Sequence, residues 1–144
     1  MIKALSAASF ALTAMTGLAL ADEAPNLVTI VTEENPQTQL MAMVLTMQAA
    51  QQGAAPHILL CGPAGDIALK DAPESAVAPQ PPKGMSPQGL MTKIMGMPGA
   101  KVEVCAIYLP ARGQGADMLL DGITVAKPGA MATAVLDADA SMNF

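Results

Sequence analysis

Aromatic side chains are nearly absent: the chain has no tryptophan, one tyrosine and two phenylalanines. Basic residues are scarce as well, seven Lys and Arg against twelve Asp and Glu, for a net charge of −5. A nucleic-acid surface needs clustered cations and, for single strands, stacking rings. DNA and RNA are therefore excluded as partners. The one histidine, His57, falls at the start of an expected strand, where it completes no Ser-His-Asp hydrolase set. The glycine-containing loops GPAGD and GQGAD carry neither a Walker lysine nor GxGxxG spacing, so no nucleotide cofactor is expected, nor any other. Internal repeats and heptads are missing too.

Long apolar runs are limited to the beginning. The segment MIKALSAASFALTAMTGLALA sets Lys3 before an apolar and small-residue stretch that closes with Ala19-Leu20-Ala21, the small-x-small pattern of a signal-peptidase site. Residues 1–21 are expected to be a signal peptide, cut before Asp22, and the protein to be exported, to the periplasm if the source is bacterial. Ala, Ser, Thr and Gly make the stretch only weakly hydrophobic, which argues against a retained anchor. No cysteine near the cut would take a lipid. No second long apolar run follows, so no membrane contact is expected after cleavage. The remainder, 22–144, is roughly 120 residues, enough for one domain with a hydrophobic core and too few for two.

Strand and helix patterns alternate along that remainder. Asn26 to Thr32, NLVTIVT, is a β-branched run that predicts a first strand. Asn35-Pro36 supplies a helix cap and first turn, and Leu40, Met43, Val44 and Met47 fall on one helical face that Gly53 ends. His57 to Cys61 is a second strand. Residues 70–84, with four prolines, read as a long exposed loop. Ser86 caps a helix carrying Leu90, Met91, Ile94 and Met97 on one face, before a third strand from Lys101 to Leu109. A short helix (115–120), a strand (123–126), a helix after Pro128 and a last strand (141–144) complete the order. Apolar strands joined by helices predict an α/β fold with a parallel sheet buried on both faces.

Two cysteines, Cys61 and Cys105, remain after the expected cleavage. In open parallel sheets the binding crevice lies outside the carboxyl ends of the strands, and Cys105 stands shortly before such an end. A thiolate forms near neutral pH when a positive group or a helix N-terminus stabilises it. Arg112 and the amides of residues 113–116 are placed to do this, making Cys105 a candidate nucleophile for sulfane sulfur and Arg112 its supporting residue. The competing reading takes Cys105 as a small core hydrophobe. Cys61, beside a Gly-Pro turn, is a candidate resolving thiol, provided that the two strands adjoin closely enough for a bridge; otherwise it is a core or rim thiol. Sequence does not give the strand order. Met85, Met91, Met95 and Met97 raise a second chemistry, soft-metal binding of Cu(I), against the reading of Met as core filler. No metal site is expected from the other residues.

The stretch VCAIYLPARG followed by a short helix, then DGITVAKPGAMATAVLDADASMNF, together with the opening LVTIVTEENPQT, resembles the DsrE/DsrF-like family of sulfur-relay proteins, from about Leu27 to Phe144. The resemblance implies a Rossmann-like three-layer α/β/α fold with a mainly parallel sheet of about five strands, and assembly as a homo-oligomer, a trimer or hexamer. It also implies a persulfide-bearing cysteine at the position of Cys105, served by a sulfur-donor or thiol partner protein. The export signal, the additional Cys61 and the methionine content depart from the sulfur-relay members. The expectation is an exported protein with a sulfur-transfer or thiol-redox role centred on Cys105; the alternative is a non-catalytic binding or assembly module on the same fold.

Overall fold

Five short strands, β1 (Asn26–Val31), β2 (Ala55–Leu60), β3 (Lys101–Cys105), β4 (Thr124–Ala126) and β5 (Ala140–Asn143), form one sheet in the order β4-β3-β2-β1-β5. Every pairing is parallel. The computed structural model describes residues 23–144. The expected signal peptide, residues 1–21, lies outside the described residues.

The expected α/β class is the observed one, and the topology follows from chain handedness. Helices α1 (Pro36–Gln51), α2 (Glu74–Val77), α3 (Pro87–Met95) and α4 (Tyr108–Ala111) accompany the march from β1 to β4. Their apolar side chains share one core with Val31, Ile58, Leu60, Val102 and Val104. The chain then returns to the far edge, beside β1. A right-handed crossover made in the opposite direction must pass over the opposite face. Helix α5 (Pro128–Leu136) accordingly packs Met131 and Ala134 on Val28, Leu59 and Ala126. The alternation of strand side chains separates the two layers.

Helix α1 begins as expected: Asn35 Oδ1 accepts from the Gln37 and Thr38 amides at 2.9 and 3.2 Å. Its buried stripe is different. Gln39, Ala42, Met43 and Thr46 are the enclosed positions, while Leu40, Val44 and Met47 are only partly covered. Two polar residues are tolerated inside because both are satisfied. Gln39 Nε2 donates to the Glu33 carbonyl at 2.7 Å, and Thr46 bonds the Ala42 carbonyl at 2.7 Å and Thr29 Oγ1 at 2.8 Å.

Residues 70–84 are not a plain exposed loop. They contain α2, whose Ala76 is buried, and Gln80 pairs with Met85 in an antiparallel bridge. The third strand also ends earlier than its apolar run suggests. It stops at Cys105, and Tyr108 and Leu109 are buried from the single turn of α4 instead. Pro110 is compatible with a first helical turn, whose amides have no intrahelical acceptor. Gly113, at φ +64°, turns the chain away afterwards. Cys105 thus stands on the last residue of its strand, where the sheet opens to loops.

Candidate functional site

Strands β2 and β3 are neighbours, and their register, His57 with Lys101 through Leu60 with Val104, places Cys61 opposite Cys105 one step beyond. The two are joined as a disulfide with Cα atoms 5.0 Å apart. Adjacent strands in a sheet are about this far apart, so the backbone needs no detour to bring the sulfurs together. The two ends of the bridge have different surroundings. Cys105 is 5 % exposed and lies between β2 and β4, next to buried Ala126. Cys61 is partly exposed and sits between the end of β2 and the 3-10 turn Gly62–Ala68, its amide donating to the Val31 carbonyl at 2.9 Å.

A polar crevice of about 550 Å³ opens at this end of the sheet, lined in part by Glu34, Asn35, Gln39, Pro63, Asp66 and Arg112. Arg112 is held by Asp66 and Tyr108. Its Nη2 lies 2.5 Å from Asp66 Oδ1, and its guanidinium carbon lies 4.9 Å from the centre of the Tyr108 ring. The Tyr108 hydroxyl donates to the same Asp66 oxygen at 2.7 Å. Burial, and then the bond to Asp66 and its charge, push that hydroxyl well above its ordinary value of 10.0, with Arg112 opposing. The tyrosine therefore stays protonated as a donor. Gly65 makes the arrangement fit, since a Cβ there would meet Tyr108 Cζ at 2.6 Å. The turn after β2 and the turn after β3 are thereby tied together directly beyond the two cysteines. Arg112, expected beside a Cys105 thiolate, is engaged by Asp66 in the oxidised protein, a carboxylate being a strong partner for a guanidinium.

Sequence reasoning missed Asp66, Tyr108 and Glu103. A carboxylate inside the apolar strand KVEVC, and a tyrosine in an apolar run, each require a buried partner, and that requirement was the available signal. Glu103, 6 % exposed, meets His57 Nε2 at 2.8 Å, Lys101 Nζ at 2.9 Å and Thr124 Oγ1 at 3.1 Å. Burial alone would raise its carboxyl, but the bonds from Lys101, His57 and Thr124 and the lysine charge hold it below the ordinary 4.5. His57 is thus a structural partner on the face that α5 covers. Strand periodicity puts Glu103 and Cys105 on that same face.

The four methionines are divided between the core and the end of α3. Met91 is fully buried, Met85 and Met95 pack against the core, and Met97 lies beyond the end of α3 rather than on its face. Their flexible side chains fill space that a core with almost no aromatics leaves. Among the described residues, no group of three or more His, Cys, Asp and Glu side chains is arranged to hold a metal ion.

No family model matches the sequence, and no curated protein is detectably similar to it. Solved structures are. The ychN protein from E. coli superposes with a TM-score of 0.67 at 16% identity, covering 84% of this chain and 99% of that one. A protein of unknown function from Methanobacterium thermoautotrophicum, MTH1491, matches with a TM-score of 0.58 at 17% identity, again over 84% of this chain and 99% of its own. At these identities the likeness is one of architecture. It supports the five-stranded parallel α/β arrangement and leaves the chemistry to the residues.

Proposed function

We propose that this is an exported DsrE-like protein that handles sulfur or redox equivalents through thiol chemistry at Cys61 and Cys105, taking them from a donor or thiol partner protein. The observation that carries the reading is the pairing of the two cysteines across the ends of neighbouring strands, at the end of the sheet where α/β proteins bind ligands. Beside the pair, Asp66, Tyr108 and Arg112 satisfy one another. In the reduced state the pair offers a thiol to accept a sulfane sulfur and a second thiol within disulfide reach. In the oxidised state it accepts two electrons. The test is to incubate fully reduced protein with a persulfide donor and to follow donor consumption and intact mass. Consumption with a mass change at the cysteines, absent from a Cys61→Ser/Cys105→Ser variant, is expected. An inert reduced protein overturns the reading.

A second reading, a binding or assembly module, is favoured by one observation. Helix α5 is apolar yet has no fully buried residue, and Leu136 and Ile107 are 83% and 75% exposed. Side chains of this kind suit a homo-oligomeric contact. Light scattering on the protein tests it, and a monomer at all concentrations refutes it. Among the described residues no helix is long and apolar enough to cross a membrane.

A further inference from the structure

The bridge is asymmetric, and the asymmetry assigns an order to its chemistry. Cys105 is 5 % exposed and lies between two hydrogen-bonded strands, whereas Cys61 is partly exposed on a turn. Pro63, two residues after Cys61, lines the crevice. A thiol exchanges with an external sulfur only if that sulfur can approach it in line, and access decides which sulfur is attacked. We infer that Cys61 is the sulfur-accepting thiol, that Cys105 resolves it, and that the product is hydrosulfide, so that the protein acts as a reductase of organic persulfides. This inference rests on the thiol-based reading above and reverses the roles which the sequence suggests for the two residues.

The steps balance. The Cys61 thiolate attacks the terminal sulfur of R–S–SH; a sulfur–sulfur bond forms on Cys61, the donor's own sulfur–sulfur bond breaks, and the thiolate R–S⁻ leaves with the electron pair. The Cys105 thiolate then attacks Cys61 Sγ. The Cys61–Cys105 bond forms, the bond to the terminal sulfur breaks, and HS⁻ departs with its electrons. The sulfane sulfur has been reduced by two electrons, and the two thiols have been oxidised to the disulfide seen in the structure. An external dithiol, which becomes a disulfide, restores both thiols.

The test uses the reduced, desalted protein under anaerobic conditions with cysteine persulfide, reading hydrosulfide and intact mass together. The Cys61→Ser/Cys105→Ser variant supplies the background of spontaneous decay. Wild type is expected to release one hydrosulfide per chain and to lose the mass of two hydrogens. Cys105→Ser is expected to retain one extra sulfur on Cys61 and to lose the prompt release, and Cys61→Ser to do neither. Circular dichroism under the same reducing conditions establishes that each variant is folded, and Cys105→Ala replaces a serine variant that is not. Uptake of sulfur on Cys105 in Cys61→Ser, a stable persulfide on wild type without release, or attachment of a whole cysteine to Cys61 overturns this order while leaving thiol chemistry in place. A donor left untouched by wild type overturns both.

Discussion

Reducing the Cys61–Cys105 bond should lower stability by an amount that can be worked out in advance. The bridge spans 44 residues of sequence, and releasing a loop of that length returns about 13 cal/mol/K to the unfolded chain, or about 4 kcal/mol at 25 °C. The strands themselves stay paired through their backbone ladder, so the native state loses little else. For a chain of this size that corresponds to a fall in Tm of about 15 °C. Calorimetry on oxidised protein and on protein held in a phosphine reductant measures it, and reduced wild type should melt close to Cys105→Ser. A typical domain is stable by roughly 5–15 kcal/mol, so the reduced form should remain folded at room temperature, as a thiol that cycles between states must. Two results refute this reasoning. Coincident melting of the two forms would mean that the bond constrains nothing. Reduced protein already unfolded at room temperature would make the bond an indispensable staple and leave no folded dithiol to do chemistry.

Glu103→Gln removes a charge that Lys101 and His57 meet, and should cost about 1–3 kcal/mol near neutral pH by urea denaturation. Because the folded carboxyl lies below 4.5, its contribution is present above that value and is lost as pH falls through the lower folded value, so the acid limb of stability should be shallower in the variant; parallel limbs would refute the assignment. Gly65→Ala drives a methyl into the Tyr108 ring and should destabilise by about 1–3 kcal/mol in the same assay, whereas an unchanged midpoint would mean that the ring moves freely. Arg112→Gln should slow sulfur uptake by less than about tenfold, the equivalent of one pKa unit, since the guanidinium is engaged by Asp66. A larger loss would return the arginine to the sulfur.

Element order was legible because local signals carried it: Asn35-Pro36 and Ser86-Pro87 open helices through caps that the structure contains, and β-branched runs became strands. What failed depended on tertiary partners. Gln39 and Thr46 lie outside the apolar face of Leu40, Met43, Val44 and Met47, and are core because Glu33 and Thr29 supply their bonds. The apolar run after Cys105 read as continued strand, and became helix because Tyr108 finds Asp66 from there. The adjacency of β2 and β3, on which the meaning of both cysteines depends, is a property of chain crossing and carries no local mark. Arg112 was chosen for its nearness in sequence to Cys105. Asp66, more distant along the chain, reaches it through the turn that follows the other cysteine.

That exchange of partners determines where an anion can reside in the reduced protein. Asp66 occupies Arg112, and Glu103 occupies Lys101 and His57. Arg112, Lys101 and His57 are thus matched by carboxylates within the protein, and among the described ion pairs none is directed at a sulfur. With no dedicated cation, a thiolate is stabilised mainly by solvent, and a buried thiol ionises less readily than one that touches water. Exposure therefore sets the order inferred above: the sulfur at the turn is the nucleophile, and the sulfur within the sheet waits until a bond to its neighbour is the step required.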